Sequence, residues 1–434
     1  MLIFVSMKQR VLSLILAALA ILQACNGPLP TREESDEKYS RVLIFVGEGF
    51  NSLSSYVMDD IDDLAGVLPN PDLPFEHSNK ALVMISHLTE RYQDYSTPTS
   101  PYIIRISRDY LGRPIRDTLL TLDKGMIMTK SENLRFALEY VRDNFPSDSY
   151  GMILNSHGTG WLPAGVYDSG QDEFSMMSAH GKRPEGAVPY REHRNPDGID
   201  VKSFGQEVIR ADGSTYSFEM TLPSLAAAIP MKMDYMIFDA CLMGGIETAY
   251  ELRNVTDKVA FSQAEVLADG FCYDTILSRL LNESPVNLHA VCEDYFNHYN
   301  ERTGVYQSAT ISLIDCTRLD HLAECCNALF EEYRDRIASL PYKEVQGFFR
   351  YNKHWFFDLE DILVKAGMNS SQRRELTSAL QECVLYQANT KSFMEDFDIK
   401  TCCGFSMYLP SAGSSYLNSY YTELEWNKAT GLVD

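Results

Sequence analysis

The sequence predicts an α/β protein: a doubly wound, mostly parallel sheet flanked by helices, with a helical elaboration at its C-terminal end. Three observations carry this expectation. Continuous short apolar runs alternate with longer amphipathic segments from Arg41 onward, a polar hairpin signal interrupts the alternation, and the last third is mainly amphipathic helix.

The elements follow in order. RVLIFVG from Arg41 reads as a buried strand, NSLSSYVMDDIDDLAGVL as a helix opened by Asn51 or Ser52, and KALVMISHL as a second strand. PYIIRISRD and IRDTLLTLD lie on either side of Gly112-Arg113-Pro114, which predicts a hairpin inserted between parallel units. SENLRFALEYVRDNF is a helix with Ser131 as its N-cap, and YGMILNSH the next strand. From about Trp161 to Pro223 the rhythm breaks: the stretch is polar, holds seven glycines and carries Lys182, Arg183, Arg191, Arg194, Lys202 and Arg210, so it reads as a long surface loop. LPSLAAAIP (helix), MDYMIFDAC (strand), MGGIETAYELRN (helix) and DKVAFSQAE (strand) then resume the pattern. Three long helical stretches follow, NLHAVCEDYFNHYNERT, DHLAECCNALFEEYRDRIASL and SQRRELTSALQECVLYQAN, with QSATISLID and CCGFSMYLP returning as strands.

The first residues do not belong to this fold. Lys8 and Arg10 precede the apolar VLSLILAALAIL, and LQAC ends at Cys25, an arrangement similar to a bacterial lipobox whose cysteine becomes the lipidated first residue; ordinary secretory cleavage near Ala24 is the alternative. The expected organisation is a signal peptide at 1–24, a polar tether at 25–40, a core at 41–320 with the long loop at 161–223, and a mainly helical region at 321–434 that returns one strand to the core. Export to the cell envelope with a lipid anchor in the membrane follows from that reading.

The chain has 434 residues, 45% hydrophobic, with 60 acidic against 38 basic side chains and a net charge of −22. That balance lacks a nucleic-acid footprint and favours cationic over anionic substrates. Ten cysteines include Cys25, and the nine that remain, an odd number without a CxxC pair, argue against a disulfide framework and leave at least one thiol free.

His157 and Cys241 each follow an apolar strand, the place where open α/β sheets bind ligands. Gly158 and Gly160 leave backbone N–H groups accessible beside the histidine. In that arrangement His157 serves as acid and base, Cys241 as nucleophile, and the N–H groups of Gly158 and Cys241 as an oxyanion hole. Taken singly, a cysteine in an apolar run is more often core and a lone histidine more often a satisfied side chain. A metal site from His157, His180, His193 and Cys241 lacks short ligand spacing and any HExxH pattern.

These residues carry a resemblance. NSHGTGW and DACLMGG, supported by GEGFNSLSSYVMDDIDDL, GFCYDTIL, FFDLEDIL and CGFSMYLP, are similar to motifs of the clostripain family of cysteine peptidases, in the clan of caspases and gingipains. The resemblance, from about residue 42 to 410, implies a caspase-like fold, a His157–Cys241 dyad, cleavage of peptide or protein substrates after a basic residue, and activation by cleavage between the two motifs. It also implies that Asp239 lines the specificity pocket, as a carboxylate matched to Arg or Lys would. The alternative for Asp239 is a helix N-cap before CLMGG. No cofactor is expected. Calcium, associated with clostripain itself, finds no DxDxDG loop here, and Asp59 to Asp63 reads as an exposed helix face. The competing function is a surface-anchored binding lipoprotein that keeps the fold without turnover.

Overall fold

The structure is a computed structural model that describes residues 38–66, 72–166, 184–190, 201–202, 205–350 and 355–434. The expected leader, Cys25, most of the tether, His180, His193, Lys182, Arg183, Arg191 and Arg194 lie outside the described residues. Tyr39–Asp434 forms one unit.

Nine strands build the main sheet: β1 (Arg41–Gly49), β2 (Lys80–Leu88), β3 (Tyr102–Arg108), β4 (Pro114–Thr121), β5 (Tyr150–Asn155), β6 (Met233–Asp239), β7 (Thr256–Phe261), β8 (Thr310–Asp315) and β9 (Val384–Asn389). Their order is β9-β8-β7-β6-β5-β1-β2-β3-β4. The central five, β2-β1-β5-β6-β7, are parallel, and the pairs toward each edge are antiparallel. The continuous apolar runs mark the middle because strands covered on both faces have no side to give to water. Every residue of β5 is buried, whereas β4 at the edge is exposed or half-buried throughout.

Eleven α-helices appear among the described residues: α1 (Ser54–Leu64), α2 (Ser131–Asn144), α3 (Leu222–Ala228), α4 (Ile246–Leu252), α5 (Tyr273–Leu281), α6 (Leu288–Asn300), α7 (Leu319–Ser339), α8 (Leu359–Ala366), α9 (Ser370–Cys383), α10 (Ser415–Tyr421) and α11 (Glu425–Thr430). α1 and α5 pack together against β1, where Tyr273 meets Phe45 edge-on at 5.6 Å, and α6 packs on α5. α7 packs on α8, α9 and α11, and α11 also packs on α4, which follows Cys241.

Several sequence expectations are corrected. α1 starts at Ser54 with Leu53 at the N-cap and no side-chain cap, because Asn51 and Ser52 spend their polar groups elsewhere. Lys130, not Ser131, precedes α2, and the Ser131 hydroxyl donates to the Ser224 carbonyl of α3 at 2.9 Å. VLYQAN leaves the helical pattern of α9 to become β9, since its backbone completes the sheet edge beside β8. Only Ser406–Met407 of CCGFSMYLP is strand, paired with Phe357–Asp358 outside the main sheet. Part of the long polar stretch is also ordered as a small antiparallel sheet of Val188–Pro189, Gln206–Ala211 and Ser214–Glu219. All nine cysteines from Cys241 to Cys403 are free thiols.

Candidate active site

Register brings the two motifs together. β5 and β6 are parallel neighbours with Asn155 opposite Asp239, so His157 and Cys241, each two residues further on, leave the sheet at adjacent strand ends. Parallel strands run about 4.8 Å apart, a spacing that seats the two loops against each other. Gly160 records the contact: at φ +57, a Cβ there would lie 2.6 Å from the Leu242 carbonyl oxygen. Glycine takes that conformation without strain, and a side chain of any kind would collide at that approach.

The nucleophile loop is fixed by backbone. Leu242, at φ +61, donates its N–H to the Ala264 carbonyl at 2.9 Å, and Gly244 donates to Ser262 at 2.7 Å. A Cβ on Gly244 would come within 2.5 Å of the Gln263 nitrogen. Cys241 is 2% exposed; its Sγ accepts the Val266 N–H at 3.1 Å and lies 3.6 Å from the Val266 carbonyl oxygen, to which the thiol donates. Burial pushes the other eight thiols above their ordinary range, Cys272 to about 11 and Cys402 to about 12, so they are poor thiolate sources.

His157 is 8% exposed, with Nε2 3.0 Å from the Ser52 hydroxyl. The preceding Ser156 donates its hydroxyl to the Glu48 carbonyl at 2.7 Å, tying the histidine loop to the end of β1. Gly158 is buried, and its N–H donates to no carbonyl among the described residues. Beyond the histidine, Trp161 packs on Tyr408 and Tyr421 at ring-centroid distances of 4.5 and 5.1 Å. The Tyr421 hydroxyl and the Tyr408 N–H donate at 2.7 and 2.9 Å to Glu247 in α4, whose carboxyl burial pushes up to about 7. The Ser406 N–H donates to the Gly244 carbonyl at 2.8 Å, so the C-terminal segment holds both motif loops.

Asp239 is fully buried. Its Oδ2 accepts from Asn155 Nδ2 at 3.0 Å and from the Tyr273 hydroxyl at 2.7 Å, and Asn155 also donates to Asp60 at 2.6 Å. Burial first, then the negative charges of Asp239 and Asp60, raise the Tyr273 hydroxyl well above a normal phenol, so it stays a donor. The helix after Cys241 begins at Ile246 behind Gly245, which removes the N-cap alternative for Asp239.

Sequence reasoning missed Ser52 as a partner of the histidine, Asn155 and Tyr273 as partners of Asp239, and the Val266 backbone at the thiol. Asn155, two residues before His157, had a positional signal; the others meet the site only through the fold. Among the described residues no group of three or more His, Cys, Asp or Glu side chains is arranged to hold a metal ion.

The sheet brings a buried cysteine and a histidine to adjacent strand ends, and a cysteine peptidase needs one residue of each type. The clostripain family profile, Peptidase_C11, matches residues 201–431, more than half of the sequence, and the chain belongs to that family. The match includes Asp239 and Cys241 and begins after His157, which the fold supplies. Solved structures agree on the architecture: an inactive zymogen C11 protease from Parabacteroides distasonis is 23% identical, with a TM-score of 0.68 over 93% of this chain and 99% of that one. A secreted C11 cysteine protease from Bacteroides thetaiotaomicron is 22% identical, with a TM-score of 0.69 over 91% of this chain and 99% of that one. Such a protease from the same organism, in complex with an irreversible peptide inhibitor, gives 20% identity and a TM-score of 0.66 over 90% and 99%. No curated protein matches the chain.

Proposed function

We propose that this cysteine peptidase is an endopeptidase that cleaves after Arg, with Lys second, through a dyad of His157 and Cys241. The observation that carries the reading is the register of β5 and β6, which ends both motifs side by side. His157 takes the thiol proton, and the Cys241 thiolate attacks the scissile carbonyl carbon. Negative charge moves to the carbonyl oxygen, which the N–H groups of Gly158 and Cys241 receive. Collapse of this adduct breaks the C–N bond, with the His157 proton going to the departing amine. Water, deprotonated by His157, then releases the acyl group and returns the thiol.

Asp239 is the counter-charge for the basic side chain. A guanidinium takes two bonds from a carboxylate where an ammonium takes one point contact, the basis for ranking Arg above Lys. Entry of that group replaces the Tyr273 hydroxyl at Oδ2.

Activation by cleavage between the motifs is part of the proposal. Val201–Lys202 pairs antiparallel with Val266–Leu267, the short strand whose Val266 N–H contacts the nucleophile. A peptide substrate adding to that edge needs the same backbone groups, so cutting the chain in the basic stretch frees the position. Lipidation at Cys25, with anchoring in the cell envelope, rests on LQAC; no helix of the described residues is long and apolar enough to cross a membrane. Unchanged detergent partitioning of Cys25→Ser would leave plain secretion in its place.

A panel of short fluorogenic peptides differing only in the residue before the cut tests the central reading. Arg and Lys peptides should be hydrolysed, and Cys241→Ala and His157→Ala should lose activity while melting at the wild-type temperature. Full hydrolysis by either variant sinks the dyad.

A further inference from the structure

We propose that Ser52 is a positioning residue for His157: its hydroxyl accepts the Nε2–H of the imidazole, so that Nδ1 is the nitrogen that exchanges a proton with Cys241. This inference rests on the dyad proposed above. The Oγ to Nε2 distance is 3.0 Å, and Ser52 lies in the loop between β1 and α1, far from His157 in sequence.

The loop is built to hold that hydroxyl still. Asn51, just before it, is fully buried; its Nδ2 donates to the carbonyls of Glu48 at 3.0 Å and Gln206 at 2.7 Å, and its Oδ1 accepts the Leu53 N–H at 2.8 Å. The Glu48 carbonyl also receives the Ser156 hydroxyl, so the ends of β1 and β5 are tied on both sides of the serine–histidine contact. α1 begins after this loop with no side-chain cap, so Ser52 is not used to start the helix, the role its sequence position suggests.

The direction of the bond decides the chemistry. A neutral imidazole carries one N–H, and a hydroxyl that accepts at Nε2 keeps the proton there and leaves the lone pair on Nδ1. When His157 gains the thiol proton, both ring nitrogens carry hydrogens and the Ser52 oxygen still accepts, so the bond persists in the charged form and favours it. Were Ser52 the donor, protonation of the ring would break the bond and Nδ1 would hold the hydrogen from the start.

Ser52→Ala should lower kcat roughly three- to tenfold with KM almost unchanged, the size of effect one neutral hydrogen bond carries. The limb of the pH–rate profile that reports His157 should move to lower pH, and the pH dependence of Cys241 alkylation by iodoacetamide should move with it. Ser52→Thr, which keeps the hydroxyl, should restore both. If Ser52→Ala melts early, Ser52→Gly, which also lacks the hydroxyl, takes its place, with the same expected outcome. The proposal is overturned if the folded variant keeps the wild-type kcat and pH profile while His157→Ala is inactive, if the limb moves to higher pH, or if Ser52→Thr is impaired equally. Full activity in His157→Ala and Cys241→Ala strikes the dyad instead, which keeps the two failures apart.

Discussion

Two groups of buried carboxyls flank the same strand ends on opposite faces of the sheet, and they are satisfied in different ways. On one face, Asp60 and Asp239 share the Asn155 amide, and Asp239 also takes the Tyr273 hydroxyl. On the other, reached by one step of strand alternation because Gly47 pairs with Asn155, Glu48 lies opposite His87 on β2. His87 Nδ1 bonds Glu207, whose second oxygen accepts the N–H and hydroxyl of Thr129 at 2.8 and 3.0 Å. Phe50 stacks on the His87 ring at 4.6 Å. Neither oxygen of Glu48 has a hydrogen-bond partner among the described residues, and burial, then the charge of Glu207, raise its carboxyl well above the ordinary range.

The second group is closed within the fold: a histidine binds one carboxyl, and burial raises the pKa of the other. The first is held by an amide and a phenol, neutral donors that an incoming cation outcompetes. Under the proposed specificity, what suits Asp239 to a basic side chain is that an amide and a phenol can yield to a cation, rather than burial itself.

The largest effect should come from the first group. A buried carboxylate facing an apolar side chain instead of a guanidinium loses on the order of 3–5 kcal/mol, a preference of roughly a hundred- to several thousand-fold for Arg or Lys over a neutral residue. Asp239→Asn should erase most of that difference in kcat/KM across the peptide panel. If the variant still favours basic residues to the wild-type degree, the contrast between the two groups is broken.

The second group should respond in stability and leave the preference intact. Glu207→Gln replaces the carboxylate that binds His87 Nδ1 and the Thr129 N–H and hydroxyl, and should cost about 1–3 kcal/mol in denaturant unfolding, with the ranking of peptides unchanged. A variant as stable as the wild type would mean that the amide satisfies the same donors and that the second group does not depend on a carboxylate at this position.

The smallest effect belongs to Glu48. Its folded pKa lies above the unfolded value of 4.5, so its contribution to stability is complete below pH 4.5 and is lost as pH rises toward the folded value. Glu48→Gln, which mimics the protonated form, should change little at pH 4 and become stabilising relative to the wild type as the pH rises above 4.5. Equal effects at both pH values would show that the folded protein does not raise the carboxyl above its unfolded value.

The central strands were legible because burial on both faces writes itself as an uninterrupted apolar run, and His157 and Cys241 were legible because each follows such a run. Asp239 came with the family resemblance, and its partners did not: Tyr273 reaches it from a helix remote in sequence, and Asn155, which it shares with Asp60, from the neighbouring strand. Ser52 carried the composition of a helix cap, and only the position of β5 beside β1 gives its hydroxyl an imidazole instead. VLYQAN continued an apolar helical pattern that breaks where the open edge of β8 offers backbone hydrogen bonds. Local periodicity records which face is buried; it holds no record of which remote edge is waiting.

The contacts of Trp161 with Tyr408 and Tyr421, and of Gly244 with Ser406, set an order of assembly. Ribosomes deliver the histidine loop and the nucleophile loop long before residues 406–421, yet both loops lean on that late segment. A chain cut short before residue 406 therefore lacks the aromatic and backbone contacts that hold residues 157–161 and 241–244.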